Sequence, residues 1–256
     1  MSKNETSENR RALPRFALTM AGSMLAGGAI GFVVGLSRVF GLDTGALAEG
    51  LNALLAAITP WGIPVTSALT LGSCFLLYRS AAGKFAAWNG GDEDETSESI
   101  SISLSWVLLL SAVQLLLNLF FMAAFCVYGI DGGIGALSLV GVFLVSCGLV
   151  IFAQQKTVDL AKRMNPEKHG SVYDMKFQKK WMDSCDESER RQVGQACYRA
   201  YLVTSRVCLG AWMVLVILSL VFEMNLLPVF VLLLVLGIMQ VTYTLECIRL
   251  SKKGGN

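Results

Sequence analysis

Gln114 and Asn118 stand four residues apart inside an otherwise apolar window, so on a helix they share one face. Two carboxamides in a low-dielectric setting can do one of two things. They hydrogen-bond to neighbouring helices and hold them together, or they line a polar path for a solute. Either role needs partners from elsewhere in the chain, because an unsatisfied amide in hydrocarbon is costly. Gln240 and Thr242 repeat the theme in a later window, where Glu246 lies one turn from Arg249 and is accounted for by a local ion pair.

A second constellation lies in the only sizeable polar region. Val172, Met175, Trp181, Met182 and Cys185, with Lys176, Lys179 and Lys180 among them, have spacings that suit a partly amphipathic helix, and Tyr173, Phe177, Lys180, Trp181 and Glu189 are the candidate docking or inner-leaflet contacts of this region. Tryptophan among lysines fits contact with anionic lipid headgroups, and packing on the cytosolic ends of the spans is the other reading. Asp186 with Glu189 three residues on has the form of a capping box. Beyond it Val193, Cys197, Tyr201 and Cys208 keep helical spacing, so one long helix is expected to run from there into the next apolar window.

Assembled catalytic chemistry is missing from the sequence. His169 is the sole histidine, and it sits beside Lys168 in a turn-forming run. There is no H-E-x-x-H, no second histidine to share a metal, and no G-x-S-x-G or phosphate-binding glycine loop. No catalytic residue, metal ligand or cofactor is assigned, and the expectation is a protein that is not an enzyme. The acidic run Asp92–Glu95 reads as a solvated loop, and the seven cysteines, with no C-x-x-C pair, read as thiols in helices or facing a reducing cytosol.

The elements that must carry these residues follow from composition and charge. The chain has 256 residues, 54% apolar and 16% charged; soluble domains usually carry roughly 25% charged residues. Charge is absent from five long apolar windows and confined to Glu246, near one end, in a sixth; a helix needs about 20 apolar residues to cross a bilayer. The expected spans are about 16–36, 57–78, 104–128, 134–153, 207–222 and 226–247. Of the 21 Lys and Arg residues, all but Arg38 fall on one side of that alternation. This segregation is the positive-inside pattern. It predicts an all-α, polytopic membrane protein with six transmembrane helices in three hairpins and both termini cytoplasmic.

Domain organisation follows. Residues 1–15 form a cytoplasmic tail, 16–155 a four-helix membrane region, 156–206 a cytoplasmic linker with amphipathic helices, 207–248 a membrane hairpin, and 249–256 a second tail. Within the second window, Pro60 and Pro64 are expected to punctuate the chain, leaving Thr44–Thr59 on the outer surface. The fifth window is short: Val207 to Phe222 gives about 24 Å of helix, so a shallow re-entrant hairpin competes with two full spans for the last pair of windows. Gly27, Gly31 and Gly35 repeat G-x-x-x-G on the first span, a pattern that lets another helix approach closely, within the monomer or in a homodimer.

The segment Asn165-Pro166-Glu167-Lys168, followed by Tyr173, Phe177, Trp181 and Cys185-Asp186-Glu187-x-Glu189, resembles a family of multi-pass membrane proteins of Gram-positive bacteria, domain of unknown function 3169. The resemblance brings no activity, ligand or catalytic residue. It implies a bacterial plasma-membrane location. The expected partners are the lipid bilayer and either a membrane protein or a second copy of the chain; no nucleic acid is expected. Two functions remain open from sequence: an accessory or docking protein without enzymatic activity, and a transporter or permease-like subunit.

Overall fold

The computed structural model describes residues 44–88, 94–128, 134–222 and 225–253, together with Pro14, Leu18, Met20–Gly22, Met24, Leu25, Gly28, Ala29 and Phe32, which are helical. Gly27, Gly31 and Gly35 lie outside the described residues, as do Asp92, Glu93 and Arg38. Every regular element among the described residues is a helix: α1 Thr44–Ala87, α2 Asp94–Tyr128, α3 Ile134–Met164, α4 Phe177–Asp183, α5 Glu187–Phe222 and α6 Leu227–Lys253.

All but α4 are long and apolar enough to cross a membrane. Only 6–33% of each helix's most apolar window is buried inside the protein, and the outward faces carry residues such as Leu69, Phe75, Leu116 and Leu144. Such continuous apolar exposure would drive association in water; it matches hydrocarbon as the surrounding solvent.

The chain divides into two compact units, Gly50–Ala196 and Met1–Glu49 with Cys197–Asn256. In the first, α1 and α2 run antiparallel from Asn52 to Lys84 of α1. The Tyr128 hydroxyl donates to Asn52 Oδ1 at 3.0 Å at one end, and Lys84 Nζ donates to Ser99 Oγ at 2.7 Å at the other. Between them Phe121 packs on Gly62, where an added Cβ would lie 2.2 Å from the ring. Ala81, Ile100, Leu104 and Leu160 form a small core near the Lys84 end, joining α1, α2 and α3.

The expected break near Pro60 does not occur. One helix of 44 residues contains both prolines. Each proline removes a single N–H from the helical ladder, and the hydroxyls of Thr59 and Thr66 add bonds to carbonyls one turn back, Leu55 O at 2.6 Å and Gly62 O at 2.7 Å. The short fifth window is likewise part of a 36-residue helix, because nothing between Glu187 and Val207 interrupts the ladder.

The 165–186 segment holds less helix than its pattern suggested. α3 ends at Met164, before the Asn165-Pro166 pair, where proline disfavours a helical residue in front of it. Gly170 then takes φ 135°, a conformation that excludes a side chain. What remains of the amphipathic stretch is α4, seven residues long.

In the other unit, α5 and α6 meet through Tyr201 and Tyr243, whose rings stack at 4.5 Å. Pro228 falls in the first turn of α6, where its missing N–H is harmless, and Asn225 Oδ1 accepts the Leu227 N–H at 3.1 Å. Arg249 and Glu246 pair at 3.3 Å.

Candidate functional site

Two polar constellations stand out, and both lie within the Gly50–Ala196 unit. The first is built around Gln114 and Asn118, which have no exposed surface. Gln114 Oε1 accepts the Thr70 hydroxyl at 2.6 Å. Its Nε2 faces Ser67 Oγ at 2.9 Å, Asn118 Oδ1 at 2.8 Å and, more distantly, Thr66 Oγ1 at 3.2 Å. Asn118 Nδ2 donates to Ser146 Oγ at 2.8 Å, and Ser146 lies 2.7 Å from Ser67 Oγ. One turn back on the same face of α2, buried Ser111 accepts a bond from Gln154 Nε2 at 3.2 Å.

The three helices α1, α2 and α3 are thus joined by a closed set of amide and hydroxyl bonds. It contains no carboxylate, imidazole or amine, and the titratable group beside it is the Cys147 thiol, 3.7 Å from Asn118 Nδ2. Neither amide is missing from the set, and the Trp88 indole N–H is the only buried side-chain donor or acceptor without a partner among the described residues. The i, i+4 spacing identified Gln114 and Asn118. It could not identify Thr66, Ser67, Thr70 or Ser146, because a hydroxyl on a helix can be satisfied by the i−4 carbonyl alone, a bond that Thr66 and Thr70 do make.

The second constellation folds the 165–186 segment onto the ends of α2 and α3. Gln155, at the end of α3's apolar run, accepts the Val172 N–H at 2.7 Å and the Ser171 hydroxyl at 3.0 Å. Lys168 is buried, and its ammonium donates to Glu189. Burial alone would depress the Lys168 pKa, but the Glu189 hydrogen bond and the nearby negative charges outweigh it and raise it above the ordinary lysine value.

Glu189 also completes the capping box. It accepts the Asp186 N–H at 3.0 Å while its own N–H donates to Asp186 Oδ1 at 2.7 Å. That backbone bond holds the Asp186 carboxyl below the usual aspartate range. Arg190 fastens α4 to α5 by donating to the carbonyls of Met182 at 3.2 Å and Asp183 at 2.9 Å. Lys180 pairs with Asp174, which lowers the Asp174 pKa.

These ties leave a cleft of about 620 Å³. Its walls are Leu104 and Leu108 of α2, Val158, Ala161 and Met164 of α3, and Phe177 and Trp181 of α4, with the Lys168–Glu189 pair at its edge. The sequence-selected residues therefore separate. Phe177 and Trp181, with ring centroids 5.7 Å apart, face the cleft; Tyr173 and Lys180 are exposed; Glu189 is engaged in structure. Gln155, Lys168 and Arg190 were missed. The only signal was the Gln154-Gln155 pair, two amides where an apolar window ends.

The family described as protein of unknown function (DUF3169) matches residues 10–247. The chain belongs to this family. No curated protein and no solved structure matches it. In this DUF3169 member, the family match takes in both polar constellations and the whole cleft.

Proposed function

We propose that this protein is a six-span protein of the bacterial plasma membrane, with both termini cytoplasmic, that works as a docking or accessory subunit and carries no catalysis of its own. The topology rests on the segregation of all Lys and Arg residues but Arg38 to one side of the apolar windows. That side includes the whole 165–186 segment.

The observation that carries the docking role is the cleft. A polar stretch with little secondary structure is held in one shape by Gln155, by Lys168 with Glu189, and by Arg190, and the shape presents Trp181 and Phe177 in a concave apolar setting. A half-exposed tryptophan in a pocket, with charges at the edge, is the pattern of an interface anchor. The buried amides argue against a solute path, since Gln114 and Asn118 are bonded to protein on every side. Their arrangement supports the helix-joining reading instead.

The test is recovery of the intact chain from native membranes in mild detergent, with Trp181→Ala alongside. A docking role requires a stoichiometric companion that Trp181→Ala loses, with Tm unchanged. A chain recovered alone in both cases contradicts it.

A further inference from the structure

A groove of about 390 Å³ runs along the opposite flank of the three-helix unit, lined by Leu71, Phe75, Val107, Leu149 and Phe152. Tyr78 and Lys156 close one end of it. The groove follows α1 from Leu71 to Tyr78 and α3 from Leu149 to Lys156. Each path is about 10 Å of helix, since both helices run in the same direction against antiparallel α2. Its polar end is therefore shared by a phenol and an ammonium at one level, at the end of the spans where nearly all the basic residues lie.

We infer that this groove seats one anionic phospholipid, with an acyl chain against the apolar walls and the phosphate at the Lys156 ammonium. The charge argument rests on Lys156, the one cation among the residues that line the groove. Lys162, Lys168 and Lys180 each have a carboxylate partner. Among the described residues none pairs with Lys156, whose ammonium sits 5.4 Å from the Phe152 ring centroid. An exposed ammonium over an aromatic ring at the mouth of a lipid-facing groove matches a phosphate at headgroup level. A neutral helix in the groove would leave that charge without a counter-ion. The inference rests on the proposed membrane reading; its sidedness decides only which leaflet supplies the lipid.

The experiment is native mass spectrometry of the full chain in mild detergent, titrated with phosphatidylglycerol or phosphatidylcholine of identical acyl chains. The first phosphatidylglycerol is expected to bind about fivefold more tightly than phosphatidylcholine, the effect of one cation beside a headgroup of net negative charge, which the choline cation cancels in the other lipid. Lys156→Ala is expected to abolish that preference. Lys162→Ala, whose ammonium already pairs with Asp159, retains it. Leu149→Trp, which fills the groove, lowers binding of both lipids. Equal binding of the two lipids by the unaltered chain overturns the assignment, and so does a preference that survives Lys156→Ala. Displacement of the lipid by an equal concentration of glycerol 3-phosphate also overturns it, since the phosphate alone would then account for binding. Failure of the membrane reading is distinct: the chain would fractionate as soluble without detergent.

Discussion

The Lys168 ammonium and the Asp186 N–H share one acceptor, Glu189 Oε2, the latter at 3.0 Å. A single carboxylate therefore starts α5, neutralises a buried lysine 21 residues away in sequence, and closes one edge of the cleft. Local capping and long-range folding of the 165–186 segment are coupled through that one side chain.

The coupling has an asymmetric consequence. The Lys168 side chain is 4% exposed whereas that of Glu189 is 37% exposed. Glu189→Gln keeps the capping acceptor but removes the counter-charge of the buried ammonium, leaving it only neutral acceptors such as the Ser184 carbonyl at 3.5 Å, at a cost of about 2–3 kcal/mol. Lys168→Met removes the buried charge and leaves Glu189 within reach of water, costing about 1 kcal/mol or less. Thermal unfolding in detergent is expected to show the glutamine variant as clearly the less stable. Equal losses would contradict the burial difference.

The pH response follows from three shifts with known signs. Asp186 and Asp174 are held below the ordinary aspartate value of 3.8, so their contributions are present above that pH and are lost as pH falls through their lower folded values. Lys168 is held above 10.5, so its contribution is complete below that pH and is lost only as pH rises past its raised folded value. The fold of the 165–186 segment is therefore expected to be flat from about pH 5 to 9. A fluorine label on Trp181 would report this directly, and a transition near neutrality would count against the assignment.

Replacing Gln114 removes the hub of the buried amide set. Gln114→Leu deprives Thr70 and Ser67 of their shared partner and leaves one acceptor of Asn118 unpaired. The expected loss is about 1–2 kcal/mol, the scale of interhelical polar bonds in membranes. Asn118→Leu combined with it should cost less than the sum of the two, since the pair share a bond. Additive losses in a double-mutant cycle would mean that the two amides act independently.

Gly62 is a steric prediction. Its Cα faces the Phe121 ring so closely that Gly62→Val must move α1 or the ring, with an expected cost of about 1–3 kcal/mol. Gly62→Val with Phe121→Ala should recover much of the loss. Gly72→Val, where an added Cβ meets nothing within 4 Å, serves as the neutral comparison.

Sequence made some of this visible for plain physical reasons. The apolar windows, the i, i+4 amides, the capping box and the Glu246–Arg249 pair are all local, and local spacing determines them. Cross-helix register is not local. Which hydroxyls meet Gln114, and that Gly62 lies under Phe121, depend on how far α1 slides along α2. Pro60 and Pro64 read as breaks because each removes an N–H, yet α1 continues through them on its remaining ladder and tertiary packing. Lys168 looked like one more basic residue on a charged loop; its burial depends on a partner brought back by the turn at Gly170.

A partner that occupies the cleft beside Trp181 comes within reach of the cleft's own side chains. A photo-crosslinking residue in place of Gln178, which lines the cleft, would test this in native membranes. One discrete protein adduct is expected from Gln178, lost in Trp181→Ala and absent when the crosslinker stands at exposed Ser138 instead. Adducts to lipid alone, or the same adduct from both positions, would contradict the docking role.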